Sequence, residues 1–561
     1  MDTIRKNFQV LYEDKWELAE EGYRRQLEKW KGKIPSAPGR LSERDAILIV
    51  YPDSFTRAGE KTLVTLKDFL NHYVQDAVSA VHILPFFPFT SDDGFSIVDY
   101  RKVEPSFGDW ENVKEISGEY DLMMDAVINH TSKSCSWFQK FLKGEEKYRS
   151  FYIRKDPSWD YSSVTRPRTH PLFTQFQSAQ GPVDVWTTFS EDQVDLNFGS
   201  PEVLEEVLDV LAGYAAAGAR YIRLDAVSYV WKQKGTACIN LERTHLLVKA
   251  IRSFLQEIAP GTMLITETNV PHQENIAYLG NGCDEATMVY QFALPPLVLY
   301  AYLSGDTRVL RQWLSSLWFP ESHATYFNFL ASHDGIGLQP VTGILSEDQR
   351  QLLVNACTAA GGRVSYKSNS DGTQSVYELN VNYQDGLTPF ACPESVKAQR
   401  FLGAQCIMLS VKGVPGIYYH SLLGSHNDVE GMLQSGISRK INRKKLDSRQ
   451  VEEQLAEGAD SAGVFQEYLR LLRLRKEHPA FSPYADQQVL ESDPALFCLA
   501  RHSRETGEHI TVVVNVSQEV RRLELTHLCV DLISGQKADG STEVPPYGYL
   551  WLLAENREET I

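Results

Sequence analysis

GARYIRLDAV (residues 218–227) is the stretch that decides the fold. Its centre is apolar apart from one arginine, and a single carboxylate, Asp225, follows the run. A strand covered on both faces reads as a near-continuous apolar run rather than an alternating one. PEVLEEVLDVLAGYAAAG (201–218) precedes it and RTHLLVKAIRSFLQEIA (243–259) follows, both with apolar residues at helical spacing. The same kind of run recurs at AILIVYP (46–52), AVHILPF (80–86), DLMMDAVINH (121–130), TMLITETN (262–269), MVYQFALP (288–295), TYFNFLASHD (325–334) and QCIMLSVKGVPGIYY (405–419), making eight in all. Eight strands alternating with helices predict an α/β fold, a (β/α)8 TIM barrel.

Outward from the barrel, residues 1–44 read as a helical extension that PSAPGR (35–40) terminates. The barrel is expected over 45–483. Two connections, about 131–200 after the third strand and about 335–404 after the seventh, are much longer than ordinary βα loops. They read as inserted lobes, and both leave the strand ends where barrel active sites lie. From 484 to 561 the pattern shortens to ALFCLARHS, HITVVVNVS, RRLELTH and YGYLWLL, which predicts a small C-terminal all-β domain.

The 561 residues are 43% apolar, enough for a large core, and carry a formal net charge of −17. That charge argues against nucleic acid and anionic membrane surfaces as partners. No apolar run approaches the ~20 residues of a membrane helix. Eight cysteines stand singly without a CxxC pair, and the N-terminus lacks a signal-peptide core, which together predict a cytoplasmic protein. There is no Gly-rich phosphate loop and no Cys/His ligand cluster, so neither cofactor nor metal is expected.

Asp225, Glu267 in MLITETN and Asp334 in FLASHDG each close an apolar run. One such carboxylate is readily a helix cap, but three on separate strands of one barrel converge on one pocket. Retaining chemistry at a sugar's anomeric carbon needs two carboxyl groups about 5–5.5 Å apart, one as nucleophile and one as acid/base. Asp225 fits the nucleophile, with Arg223 two residues earlier on the same strand face to aim it and keep it ionised. Glu267 fits the acid/base, its pKa raised by the neighbouring charge. Asp334 fits a third role, holding sugar hydroxyls and stabilising the oxocarbenium-like transition state.

DAVINH (125–130), YIRLDAV (221–227), TETN (266–269) and ASHD (331–334) resemble the four short regions that mark the α-amylase superfamily, glycoside hydrolase family 13. RPRTHPLFTQF (166–176), WTTFSEDQVDLN (186–197), FALPPLVL (292–299), SHDGIG (332–337) and INRKK (441–445) narrow the resemblance to its sucrose phosphorylase-like subfamily. WKQKGTACINLERTHLLVKAIRS, ETNVPHQENIAYLG and FNFLASHDGIGL are most similar to the glucosylglycerate phosphorylase branch. The resemblance implies a glucose site in which Asp92 binds a distal hydroxyl, Phe95 walls the ring, and His130 and His333 donate to the sugar. Arg443 pairs with Asp92 at the pocket floor, and Phe189 and Gln193 lie at the rim. Asn129 matches a position that ligates calcium in many amylases, without the rest of such a site.

The subfamily resemblance implies that phosphate resolves a glucosyl ester on Asp225. A phosphate dianion among carboxylates needs a cation. Arg168 is the first candidate, Arg166 the second, and Tyr377 matches a tyrosine associated with phosphate and acceptor binding. Glu378 stands where sucrose phosphorylases carry glutamine, and can accept hydrogen bonds from a small polyol. A glycerate carboxylate would find a cation in Lys367 or Arg363. Thr342 stands where some glucosylglycerate-type sequences have an arginine, which keeps glucosylglycerol open beside glucosylglycerate. Sucrose and its 6-phosphate rank lower. An amylase-type hydrolase or transglucosidase is the rival activity, and a catalytically dead scaffold barrel the rival class. The implied partners are a small sugar substrate and inorganic phosphate.

Overall fold

The structure, a computed structural model, describes residues 2–37, 39–320, 323–368, 373–456 and 462–555. Parts of the expected segments 1–44, 45–483 with its insertion 335–404, and 484–561 therefore lie outside the described residues. All eight apolar runs contribute a strand to one closed parallel barrel: β1 (Ile47–Val50), β2 (Ala80–Ile83), β3 (Asp121–Ala126), β4 (Ala219–Leu224), β5 (Met263–Thr266), β6 (Met288–Tyr290), β7 (Thr325–Asn328) and β8 (Val414–Tyr418). Each strand pairs with its sequence neighbours, and β8 closes on β1 through Ile47↔Gly416. Nearly every strand residue is buried, as expected of a sheet with helices outside and packed side chains inside.

The strands are shorter than the runs that announced them. The clearest case is 405–419. Residues 405–410 end a helix, Glu394–Ser410, and only Val414–Tyr418 is strand. The last turns of this helix are buried on every side, so they carry the same uninterrupted apolar signature as a barrel strand. Gly413, at φ +143, makes the turn between them.

Two helices, α1 (Asp2–Tyr12) and α2 (Trp16–Trp30), precede the barrel and pack on α3 (Pro201–Ala216) and α4 (Glu242–Ile258), which flank β4. Arg25 and Lys29 reach Glu205 at 2.7 Å and Asp209 at 2.5 Å. Tyr12 meets Trp231 edge-on at 6.0 Å, just past the end of β4. Between β3 and β4 the chain builds a helix (Ser136–Lys143) and a hairpin (Phe173–Ser178 with Gly181–Trp186). Between β7 and β8 it builds an antiparallel sheet of Ile336–Gly337, Gln374–Asn380 and Arg363–Ser368. A six-stranded sheet at the C-terminal end includes Leu496–His502, His509–Asn515 and Tyr549–Ala554. It docks through Trp551, whose Nε1 donates to Ser410 Oγ at 3.0 Å. No helix among the described residues is long and apolar enough to cross a membrane.

Arg475, at the end of the helix Ala462–Arg475, sutures these parts. Its buried guanidinium donates to the carbonyls of Leu409 (2.9 Å), Glu43 (2.6 Å) and Phe481 (3.0 Å). Burial lowers its pKa to about 10, opposed only in part by the charges of Asp45 and Glu43. Arg475→Met should leave several buried carbonyls unpaired and cost about 3 kcal/mol. A urea-denaturation midpoint equal to wild type would contradict this role.

Candidate active site

The floor of the site is a register pair. Asp125 on β3 lies opposite Arg223 on β4, both fully inside the barrel. Arg223 Nη1 donates to Asp125 and, at 2.8 Å, to Asp225 Oδ1, while Nη2 lies 3.8 Å from Glu267 Oε2. His82 on β2 completes the group, its Nε2 at 2.6 Å from Asp125 Oδ2. Burial lowers the His82 pKa, so the ring is neutral and Nε2–H is the donor in this contact. Burial pushes the Asp125 carboxyl up, but Arg223 and then His82 outweigh it and hold it at about 2.

Directly after Asp225, Ala226 takes a left-handed conformation (φ +47), which costs a non-glycine residue on the order of 1–3 kcal/mol. The bend aims its N–H at Glu267 Oε2, 2.9 Å away. One backbone step thus ties the two candidate carboxylates together. Burial raises the Asp225 pKa; Arg223 opposes, while Asp125 and Asp334 add to the rise. The expectation that Arg223 keeps Asp225 fully ionised is thereby tempered, because this one cation also serves Asp125. Glu267 is displaced further: burial, opposed by Arg223 and reinforced by Asp225 and Asp334, pushes it up to about 7. Asp334 goes the other way. Burial raises it, but Arg439 at 2.6 Å, His333 and Arg443 carry it far below the usual carboxylate range.

Above the floor opens a cavity with about 560 Å³ of unfilled space. Asp225, Glu267 and Asp334 line it, together with Asp92, Phe95, His130, Phe189, Gln193 and His333. Phe95 stacks on His333 at 4.7 Å with the planes 6° apart. His130 turns Nε2 to the Phe95 carbonyl (2.8 Å) and Nδ1 to Asn129, so its described hydrogen bonds run to protein atoms. Asp92 and Asp93 are both left-handed (φ +54 and +51). Arg443 Nη1 reaches Asp92 Oδ1 at 3.4 Å and Asp93 Oδ2 at 3.0 Å. Gln193 Nε2 lies 3.4 Å from Asp92 Oδ2.

Residues 49–384 match the sequence model of the alpha-amylase catalytic domain. The chain belongs to the alpha-amylase family. It is 47% identical to the glucosylglycerate phosphorylase of Spirochaeta thermophila over 88% of this chain and 85% of that one. It is 44% identical to the glucosylglycerate phosphorylase of Escherichia coli over 94% and 96%. Among solved structures it resembles the sucrose 6F-phosphate phosphorylase of Thermoanaerobacter thermosaccharolyticum, at 28% identity and a TM-score of 0.73, covering 84% of this chain and 94% of that one.

Around this alpha-amylase barrel the two long connections meet at the cavity mouth. Arg168 comes from the first and Tyr377 from the second, with the guanidinium 5.5 Å from the ring centroid. Arg168 and Phe189 also line a wider outer cavity of about 1560 Å³. Among the described residues no carboxylate lies within 4 Å of Arg168. Arg166 instead donates to the His170 carbonyl and does not line either cavity.

Three expected acceptor residues stand elsewhere. Glu378, 1% exposed, does not line the cavity; both its oxygens accept from Arg439. It is therefore not free to receive a polyol hydroxyl. Lys367 donates to Gln339 Oε1 at 2.8 Å, outside the lining, and Arg363 is exposed. Arg439 itself lines the cavity and was not among the expected residues. Its signal is the basic run ISRKINRKK (437–445), in which the family resemblance singles out Arg443. That short segment puts Arg439 on Asp334, Lys440 on Asp93 at 2.5 Å and Arg443 on Asp92.

Asn129 belongs to a buried polar cluster. Its amide nitrogen donates to Asp195 Oδ2 (3.1 Å), and Lys232 Nζ reaches both Asp195 Oδ2 (2.6 Å) and Asn129 Oδ1 (2.8 Å). Thr188 supplies two more donors to Asp195. The lysine, seven residues beyond Asp225, thus cross-ties the segments after β3 and β4. Lys232→Met would leave Asp195 charged and fully buried, at a cost of about 3–5 kcal/mol. Chemical denaturation showing less than a 1 kcal/mol change would refute the tie, by the ~0.5 kcal/mol scatter of ordinary surface changes.

Proposed function

We propose that the protein is a retaining α-glucoside phosphorylase acting on glucosylglycerate, releasing α-glucose 1-phosphate and glycerate. The observation that carries this reading is Arg168. It is a guanidinium with no carboxylate within 4 Å among the described residues, at the mouth of a pocket whose floor is carboxylate. A glucoside hydrolase gains nothing from such a cation, whereas phosphate and glycerate, both anions, need one. The names of the relatives at 44% and 47% identity support the same activity and acceptor.

In the proposed first step an Asp225 oxygen attacks the anomeric carbon. The glycosidic C–O bond breaks, and the proton of Glu267 passes to the departing glycerate oxygen. Asp225 is now an uncharged ester, and Glu267 carries the negative charge. In the second step an oxygen of hydrogen phosphate attacks the same carbon, its proton returns to Glu267, and the ester bond breaks. Two inversions give net retention. Asp334 would hold the sugar hydroxyls and meet the positive charge that develops in each transition state. Asp92, Phe95 and His333 would hold the glucose, and Arg168 with Tyr377 would receive the anion. The glycerate carboxylate is assigned to Arg168 rather than to Lys367, whose ammonium is turned to Gln339. The same proposal divides the chain into a helical extension (1–44), a barrel (45–483) with insertions at about 131–200 and 335–404, and a C-terminal β domain (484–561). All eight cysteines are unpaired, which supports a cytoplasmic enzyme.

Incubation with glucosylglycerate should yield glucose 1-phosphate in the presence of phosphate and little free glucose without it. Equal glucose release in both arms would reassign the protein as a hydrolase. In the synthetic direction, glucose 1-phosphate should transfer to glycerate in preference to glycerol, fructose or fructose 6-phosphate. Asp225→Asn should abolish turnover in either direction.

Glu267 must be protonated to start the reaction, and its pKa stands at about 7. kcat/KM for the glucoside should therefore be full below that value. It should fall about tenfold per pH unit above it, as a single essential acid dictates. A profile flat from pH 6 to 9 would remove Glu267 from the acid role.

A further inference from the structure

Glu378 and Arg439 form a tightly constrained ion pair at the site, and the reaction as proposed gives them no task. Arg439 Nε and Nη2 donate to the two Glu378 oxygens at 2.9 and 2.8 Å, the parallel two-point geometry that fixes a guanidinium in its plane. From the opposite edge Nη1 reaches Asp334 Oδ1 at 2.6 Å. A carboxylate on each edge leaves the guanidinium no rotation to make.

Glu378 is itself immobile. It lies in the central strand of the Ile336–Gly337, Gln374–Asn380, Arg363–Ser368 sheet, paired with Gly337 on one side and Ser365 on the other. Gly335, the residue after Asp334, lies flat on this strand. A methyl group there would come within 2.8 Å of the Leu379 carbonyl and 3.1 Å of the Glu378 side chain. The loop that carries Asp334 is thus laid directly over the glutamate. Asn442 fixes the same loop from the other side, donating to the carbonyls of Ser332 (3.0 Å) and Asp334 (3.3 Å).

We infer that Glu378 is a positioning residue that acts through Arg439: the clamped guanidinium sets the plane of the Asp334 carboxylate against the sugar, and Glu378 balances its charge so that the entering anion is left to Arg168. The inference rests on the reading of Asp334 as the group that holds the sugar in the transition state. The charge-balancing half follows from counting charges at the pocket wall. Arg439 has two carboxylates for one positive charge, and among the described residues Arg168 has none within 4 Å. Of the two guanidiniums lining the cavity, only Arg168 therefore attracts phosphate or glycerate. With glutamine at 378, Arg439 keeps a hydrogen bond but gains net charge and freedom to turn, and it becomes a second, unproductive seat for an anion close to the reacting carbon.

The full-length enzyme is assayed as wild type, Glu378→Gln, Arg439→Lys, Arg439→Gln, the double variant Glu378→Gln/Arg439→Gln, and Asp334→Asn. Rates of acceptor release are measured in single turnover, without phosphate, with and without sulfate as an anion that cannot react. Asp334→Asn is expected to be inactive. Glu378→Gln should lower the single-turnover rate about tenfold or more, the scale of losing one oriented electrostatic contact, with KM for the glucoside changed less than about threefold. It should also become sensitive to sulfate in this step, and removing the guanidinium in the double variant should abolish that sensitivity. Arg439→Lys should be no better than Glu378→Gln, because an ammonium cannot bridge both carboxylates. The double variant should be about as slow as the slower single variant, as residues acting in one unit behave. A wild-type rate in Glu378→Gln or Arg439→Lys, multiplicative losses in the double variant, or unchanged sulfate response overturns the pairing. If Asp334→Asn is inactive while Glu378→Gln is normal, only the pairing fails; an active Asp334→Asn overturns the role of Asp334 itself. Melting curves recorded alongside separate a folding defect, which lowers the active fraction, from a slower step in folded enzyme.

Discussion

One buried guanidinium holds the site together. Arg223 is 1% exposed, and an isolated charge at that depth would cost several kcal/mol of lost hydration. The barrel compensates it by drawing Asp125, Asp225 and Glu267 around it from three adjacent strands. The arrangement is lopsided, with three carboxylates for one cation. Asp125, which also has His82, settles deep in the ionised range, and the surplus of negative charge falls on the other two. Burial, reinforced by that surplus, lifts Glu267 toward neutrality. The split between a carboxylate that stays charged and one that carries a proton near pH 7 thus follows from burial and from how many partners one arginine must satisfy.

Backbone strain is also present at the site. Asp92, Asp93 and Ala226 are three of the non-glycine residues with left-handed φ among the described residues, and all three border the site. Each is held by something stiff. Arg443 and Lys440 grip the aspartates, and the buried strand β4 fixes Ala226. Strain of this kind persists only where the surroundings over-determine the conformation. Here it sets Asp92 at the cavity, Asp93 on Arg443 and Lys440, and the Ala226 N–H on Glu267.

The sequence made the barrel legible because its strands are short, apolar and regularly spaced, and the three carboxylates legible because each ends such a strand. What it hid was pairing across long separations. Glu378 looked like a free acceptor of hydrogen bonds, yet its partner lies 61 residues on and takes both its oxygens. Lys232 carries no local signal of its role, since Asp195 and Asn129 come from other segments. Residues 405–410 read as strand because a helix buried all round has no amphipathic period to betray it. In each case the local pattern was correctly seen, and the deciding neighbour was contributed by tertiary structure.

Arg168 also bears on how its anion arrives. The chain as a whole carries −17, so a distant phosphate meets a repulsive field. At cellular ionic strength that field decays over about 8 Å, while the pull of the Arg168 guanidinium is felt only inside the mouth. Capture then proceeds by undirected diffusion followed by short-range trapping. An enzyme built this way gains specificity for anions without gaining speed in finding them. Its rate of phosphate capture should rise, not fall, as inert monovalent salt quiets the long-range repulsion.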